Sequence, residues 1–186
     1  GSSHCLPKTA WPPTYGNINA SDALYAIRKL VYEDKVYTLQ QLHEAQLADF
    51  EGYEQLRRDL LHVDKYGNDK PECDALANDL YEFVAKGIRQ RGIDAGLGYY
   101  LIVISNNQTN TDWGHQTFAS LDGRKTGVFM NPANNPQGGA AKSGPTACLN
   151  SLSKFQAKYH GGSVQNIKFT PRMFNEDRDK IRILFD

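Results

Sequence analysis

The chain lacks an excess of charge of either sign. Its 186 residues contain 21 lysines and arginines and 21 aspartates and glutamates, so the formal net charge is zero. No run of five like charges occurs. Because no basic surface is indicated, nothing in the sequence would attract nucleic acid or an anionic membrane over a long range. We expect a small-molecule substrate or a protein partner instead.

Cysteine is scarce as well. Cys5, Cys73 and Cys148 are odd in number and far apart, and no Cys-x-x-Cys pair is present. This pattern excludes a disulfide framework and the common zinc-finger spacings. No uninterrupted apolar run approaches the roughly 18 residues that a membrane helix needs. Together these absences favour a cytoplasmic protein that does not enter the membrane.

Signatures of the common hydrolases, metalloenzymes and nucleotide-binding proteins are also missing. There is no Gly-x-Ser-x-Gly turn, no Gly-x-Gly-x-x-Gly loop and no Walker loop. The histidines stand alone, without a second histidine at the helical spacing of a metal site. We therefore predict no metal site, and these signatures assign no catalytic residue.

Helical periodicity dominates the sequence from residue 21 to residue 92. Apolar residues recur every three or four positions in segments 21–33, 50–61 and 71–92. Thr38 and Gln41 have the spacing of a capping box, which predicts a helix over 38–48. Pro71 fits the first position of a long helix that Gly92 would end.

The periodicity changes after Gly98. Residues 99–104 form a continuous apolar run rich in β-branched and aromatic side chains, which is typical of a strand covered on both faces in an α/β protein. Residues 164–170 alternate like another strand, and helical spacing returns in 146–159 and 178–185. We predict one α/β domain over 1–186. We expect it to be partial, because no terminating residue follows the last helical pattern, and residues 1–4 fit an expression-tag remnant.

Four short motifs follow one another between Ala119 and Pro171. They are Asp122-Gly123-Arg124, Asn135-Pro136, Gly144-Pro145-Thr146-Ala147 and the segment 166–171, which ends in proline. In this order and at this spacing they resemble the glycyl radical enzymes related to pyruvate formate-lyase. The resemblance extends upstream to segment 21–31 and to the Tyr-Gly-Asn-Asp turn at 66–69. Segment 50–54 reads Phe-Glu-Gly-Tyr-Glu. This helix makes the resemblance closer to the dehydratase, decarboxylase and arylsuccinate-forming branches than to formate acetyltransferase itself.

The resemblance implies a fold and a source of the chemistry. The chain would be the C-terminal portion of a pyruvate formate-lyase-like α/β barrel, with a helix-rich N-terminal half followed by strands and helices. Such enzymes keep a radical on a glycine near the C-terminus and pass it to a loop cysteine. The Arg-Val-x-Gly-Tyr segment of that glycine is expected downstream of Asp186, and the cysteine loop upstream of Gly1. No directly bound cofactor is implied, because an activating enzyme with S-adenosylmethionine and an iron–sulfur cluster installs the radical.

The implied activity is the anaerobic radical cleavage or formation of a C–C, C–O or C–N bond in a small organic substrate. The reaction would be of the dehydratase, decarboxylase, lyase or formate acetyltransferase type. The implied partners are the substrate, the activating enzyme, the remainder of the same polypeptide and a second copy in a homodimer. Taken alone, the chain is expected to be inactive. The alternative is a non-catalytic binding or scaffold module that retains half of the barrel architecture.

Polar side chains near the end of the predicted strand and in the motifs are the candidates for substrate binding, because sites gather at strand ends in α/β folds. The candidates are Asn106, Asn107, Asn110, His115, Asn135 and Asn166. None of the three cysteines matches the family's cysteine loop, so no catalytic residue is assigned. For Arg124 with Asp122 we predict a structural ion pair or cap in the turn rather than substrate binding.

Overall fold

The computed structural model describes residues 9–10, 14–97, 99–100, 102–104, 108–156, 158, 160–163, 167 and 170–185. In chain order, the elements are β1 (Thr9–Ala10), α1 (Asn17–Ile27), α2 (Leu39–Leu47), α3 (Glu54–His62), α4 (Pro71–Asp94), β2 (Tyr99–Tyr100), β3 (Ile102–Ile104), α5 (Thr109–His115), α6 (Pro145–Ser153), β4 (His160–Ser163), α7 (Pro171–Glu176) and α8 (Arg178–Phe185). A π-helical turn, Arg28–Glu33, extends α1. The described part of the chain contains no helix with the length and apolar character needed to cross a membrane.

Local sequence signals set two of the helix starts. The Thr38 side chain accepts a hydrogen bond from the Gln41 backbone N–H, and the Gln41 side chain accepts one from the Thr38 backbone N–H. This confirms the predicted capping box. Pro71 occupies the start of α4, as predicted, where its missing N–H is not needed.

The first hydrophobic core, which we call the N-terminal core, joins α1, α2 and α3. Its buried members are Ala26, Leu30, Leu42, Ala45, Phe50, Leu56, Leu60 and Ala119. Ala119 comes from the loop ahead of the Asp-Gly-Arg motif, so this core anchors that loop against the helices. The amphipathic faces that predicted the helices are buried here only in part, since Leu24 and Leu61 are exposed.

A second group of buried residues, which we call the aromatic core, surrounds α4. Phe155 packs edge-on against Tyr66 and Tyr81, with ring centroids 5.6 Å and 5.2 Å away. Ile18 of α1 and Ala133 of the following loops are buried in the same region. Phe155 thereby connects the long helix to α6, which carries the Gly-Pro-Thr-Ala motif.

The predicted α/β barrel is wrong for the described residues. They form mainly helices, and their strands pair in two separate parallel pairs, β1 with β2 and β3 with β4. A barrel requires each strand to have a neighbour on both edges. The apolar run at 99–104 does form β2 and β3, but these strands have two and three residues and one described partner each. The strand expected at 164–170 falls mostly outside the described residues.

Candidate functional site

The Asp-Gly-Arg motif forms a tight turn against α3. The Ser120 backbone N–H donates to the Arg124 carbonyl at 3.0 Å, and the Gly123 N–H donates to the Ser120 carbonyl at 3.0 Å. Gly123 has φ +96°, and a Cβ there would lie 2.7 Å from Leu61 Cδ2. Glycine is required at this position both by its backbone conformation and by the neighbouring helix.

Arg124 joins the segments on both sides of this turn. Its guanidinium donates to the carbonyl oxygens of Phe118 and Val128 and, through Nε, to Ser120 Oγ at 3.1 Å. Burial lowers the pKa of Arg124. No ion pair with Asp122 occurs among the described contacts, and Asp122 instead accepts the Arg124 backbone N–H at 3.2 Å. The guanidinium therefore binds backbone carbonyls on both sides of the turn and not the carboxylate that the prediction named.

Helix α1 joins the turn to the asparagine-rich loop that follows. Asn19 Nδ2 donates to Asp122 Oδ2 at 2.5 Å and to Gln137 Oε1 at 3.0 Å. Asn19 Oδ1 accepts the Asn131 backbone N–H at 2.8 Å. Asn19, Asp122 and Asn131 are all buried. One side chain of α1 therefore fixes both motif loops, through contacts that span more than a hundred positions of sequence.

A cavity of about 630 Å³, which we call the Asn-Pro cavity, lies between these loops and the start of α6. It is lined by Asn110, Pro132, Asn135, Pro136, Gln137, Gly138, Gly139, Ala141, Gly144, Pro145, Cys148, Ile167 and Met173. Its volume lies within the range of about 300–1,000 Å³ typical of small-molecule sites. The Asn-Pro and Gly-Pro-Thr-Ala motifs, separate in sequence, thus form one concave surface.

Two of the predicted substrate-binding residues meet in this cavity. Asn110 Nδ2 donates to the Met130 carbonyl at 3.0 Å, and the Met130 N–H donates back to the Asn110 carbonyl at 3.1 Å. Asn135 Nδ2 donates to the Pro132 carbonyl at 3.1 Å. Each amide nitrogen is thereby used to hold a loop. Neither Oδ1 atom accepts a hydrogen bond from the described residues, so both can accept one from a ligand.

Of the other four predicted site residues, one lies away from the Asn-Pro cavity and three fall outside the described part of the chain. His115, at the end of α5, is exposed and does not line the cavity. Asn106, Asn107 and Asn166 lie outside the described residues. The structure therefore brings together two of the six candidates.

Sequence reasoning missed two side chains of the cavity, Cys148 and Met173. Cys148 is half-buried, and burial raises the pKa of its thiol. Cys148 lies four positions after Gly144 in the Gly-Pro-Thr-Ala segment, and this spacing could have placed it on the same side of the helix start. Met173 has no comparable signal, since it reaches the cavity from α7.

The Asn-Pro cavity is suited to binding rather than to acid–base chemistry. None of its described lining residues is an aspartate, glutamate, histidine, lysine or arginine. Over the described part of the chain there is also no group of three histidine, cysteine, aspartate or glutamate side chains that could hold a metal ion. The arrangement offers amide oxygens, a protonated thiol and apolar walls.

Comparison with known proteins accounts for the ordered motifs. The sequence model described as pyruvate formate lyase-like matches residues 7–108. The chain belongs to this family of glycyl radical enzymes. A second model, described as glycine radical, matches residues 130–185 of the same chain. That segment includes the Asn-Pro and Gly-Pro-Thr-Ala motifs, and the Asp-Gly-Arg turn lies between the two matches.

Relatives of this pyruvate formate lyase-like chain include dehydratases and lyases. The probable dehydratase YbiW of Escherichia coli K12 is 33% identical over 178 residues, covering 91% of this chain and 22% of that protein. The isethionate sulfite-lyase of Bilophila wadsworthia is 33% identical over 165 residues, covering 84% of this chain and 19% of that protein. The chain therefore spans about a fifth of the length of these relatives.

A solved structure supports the same assignment. The hydroxyproline dehydratase of Clostridioides difficile, solved with trans-4-hydroxy-L-proline bound, superposes with a TM-score of 0.87 at 25% identity. The superposition covers 95% of this chain and 23% of that one. The mainly helical arrangement is therefore shared with this hydroxyproline dehydratase over nearly all of the chain.

Proposed function

We propose that this chain is part of a glycyl radical enzyme that cleaves or forms a C–C, C–O or C–N bond in a small organic substrate. The observation that carries the proposal is the pair of family matches, 7–108 and 130–185, in this order along one chain. The names of the two relatives favour the dehydratase and lyase types over the decarboxylase and formate acetyltransferase types. The proposal includes a cytoplasmic location and a homodimer.

In this proposal the chain contributes a substrate-binding wall rather than the reacting groups. Asn110 and Asn135 would accept hydrogen bonds from polar groups of the substrate, while the prolines and glycines of the Asn-Pro cavity exclude water. Asn106, Asn107, His115 and Asn166 remain predicted members of the same site. The radical, which an activating enzyme with S-adenosylmethionine and an iron–sulfur cluster would install, supplies the bond chemistry. No residue of this chain is assigned as its carrier.

The test of the proposed activity is electron paramagnetic resonance of the whole protein after treatment with its activating enzyme under anaerobic conditions. A glycyl doublet is expected. A silent spectrum, obtained with an activating enzyme that is competent on a known glycyl radical dehydratase, would favour the alternative of a non-catalytic binding or scaffold module.

The role of the Asn-Pro cavity is tested by Asn135→Ala in the whole protein. Loss of one hydrogen bond to the substrate should raise KM by about tenfold and change kcat much less. Asn175→Ala, at an exposed position of α7, is the matched control and should leave both constants unchanged. Equal effects of the two substitutions would contradict the assignment. An unchanged KM in His115→Ala would remove His115 from the site.

A further inference from the structure

A second cavity, which we call the lysine cavity, lies on the other side of the Gly138-Gly139 segment. It measures about 280 Å³ and is enclosed by α1, the loop between α3 and α4, and the Asp-Gly-Arg turn. Its volume is close to the lower end of the range for small-molecule sites, about 300 Å³. Gln137, Gly138 and Gly139 line both cavities, so the two adjoin, but all other lining residues differ.

Lys65 is the unusual residue of this cavity. Its side chain lines the cavity, the residue is only 6% exposed, and its Nζ donates no hydrogen bond to any described residue. The pKa of Lys65 is lowered, because the effect of burial is only partly offset by the charges of Asp22 and Asp122. An ammonium group buried without a partner is costly, so a group that accepts its hydrogen bonds would be bound favourably.

The carboxylates of the cavity do not satisfy this lysine. Asp122 accepts hydrogen bonds from Asn19, from the Ser120 hydroxyl and from the Arg124 N–H. Asp22 Oδ1 accepts the Tyr66 N–H at 2.9 Å, and its Oδ2 has no partner among the described atoms. Burial raises the pKa of Asp22 to about 7, so part of its population is protonated near neutral pH and can itself donate a hydrogen bond.

The rim of the lysine cavity adds positive charge. Arg57, Lys125 and Lys142 line it together with Lys65 and Arg124, so five cations face two carboxylates among the described lining residues. Two of these cations are engaged with the protein, since Arg124 holds backbone carbonyls and Arg57 Nε donates to the Gly123 carbonyl at 3.0 Å. The side-chain nitrogens of Lys125 and Lys142 make no hydrogen bond within the described part of the chain.

We propose that the lysine cavity is a binding site for a small oxyanion, which accepts hydrogen bonds from Lys65 Nζ and is attracted by Lys142 and Lys125 at the rim. The ligand class is a carboxylate, phosphate or sulfonate of few atoms. This site is separate from the proposed substrate site and requires no radical. The competing arrangement is a closed cluster in which water bridges Lys65 and Asp22 and no anion enters the cavity.

The test is isothermal titration calorimetry of the protein with inorganic phosphate and with acetate, at constant ionic strength, and with glycerol as the neutral control. Saturable binding of at least one anion and none of glycerol is expected. Lys65→Met should weaken binding by about tenfold or more, because it removes a charge-assisted hydrogen bond. Absence of saturable binding of both anions would overturn the proposal in favour of the closed cluster.

A second pair of variants tests the site even if Lys65→Met does not fold. Lys142→Glu reverses a charge at the exposed rim and should weaken anion binding by several-fold. The control is Lys35→Glu, which reverses an exposed charge that does not line the cavity. Equal weakening by both variants would show a general charge effect and would contradict the site. The result does not depend on the radical activity, since failure of the spectroscopic test leaves anion binding unaffected.

Discussion

At the scale of single residues, Asp22 makes stability depend on pH. Its pKa is raised from 3.8 to about 7 in the folded protein, first by burial, and the titratable groups that face it are Lys65, Asp122, Asp74, Cys73 and Tyr66. Between these two pKa values the folded chain keeps a proton that the unfolded chain has released. The stability that this proton on Asp22 contributes is therefore fully present below pH 3.8 and is lost as pH rises through about 7.

We expect Asp22→Asn to remove this dependence, since asparagine can still accept the Tyr66 N–H and carries no charge. The difference in the free energy of unfolding between variant and wild type should shift in favour of the variant by up to about 4 kcal/mol from pH 4 to pH 7. Urea denaturation at several pH values measures it. A difference that stays constant with pH would show that Asp22 titrates normally.

Gly114 is a residue whose missing side chain positions a loop. A Cβ there would lie 2.6 Å from both Phe129 Cα and Val128 O, which are backbone atoms that cannot move aside easily. Gly114→Ala should therefore lower the free energy of unfolding by about 1–3 kcal/mol, as overpacking does. Gly87→Ala is the control, because its Cβ would meet only the flexible Arg91 side chain at 3.6 Å. The helical control should be stabilised by about 0.5–1 kcal/mol in the same urea titration.

At the scale of elements, Lys154 connects the end of α6 to the start of α4. Its Nζ lies 2.7 Å from Asp69 Oδ1 and 2.7 Å from Asp74 Oδ2, and the Asp74 side chain is only 1% exposed. Lys154→Met should destabilise the protein by about 3 kcal/mol, because it leaves a buried carboxylate without its cation. Thermal or urea unfolding measures the loss.

The matched control for this prediction is Lys29→Met. Lys29 also contacts two carboxylates, Glu33 at 3.4 Å and Asp34 at 3.1 Å, and its side chain is 40% exposed, like that of Lys154. Its partners are each 43% exposed and stay hydrated when the lysine is removed, so the loss of stability should be much smaller than that of Lys154→Met. Comparable losses in the two variants would mean that the burial of Asp74 does not increase the contribution of its ion pair to the free energy of unfolding.

The elements that the sequence predicted are those specified by neighbours in the chain. The capping box at Thr38 and the proline at the start of α4 need residues within one turn, and both are confirmed. The strands depend on distant partners, since Thr9 pairs with Tyr99 and Ile102 with His160. An apolar run indicates a strand but not the number of its neighbours. The barrel, which the family resemblance implied, is not formed by the described strands, because they pair only two by two.

At the scale of the whole molecule, the motif order identified the family, whereas the site depended on long-range contacts. Asn110 and Asn135 were named from sequence because polar residues at strand ends and in motif loops are frequent in sites. The lysine cavity was not foreseen, because lysine is rarely buried and nothing local to Lys65 indicates that it is. Asn19 was missed for the same reason, since its partners Asp122 and Asn131 are remote in sequence.

The two hydrophobic cores should respond separately to a change in Phe155. This ring contacts Tyr66 and Tyr81 and joins α6 to the aromatic core, while the N-terminal core does not include it. Phe155 is partly buried, so Phe155→Ala should lower the free energy of unfolding by about 2 kcal/mol and speed amide hydrogen exchange in α6 and α4. Exchange in α2 and α3 should change much less. Phe83→Ala, at a position of α4 that is 77% exposed, is the control and should leave both sets of amides unaffected. Uniform acceleration across all four helices would show instead that the two cores unfold as one cooperative unit.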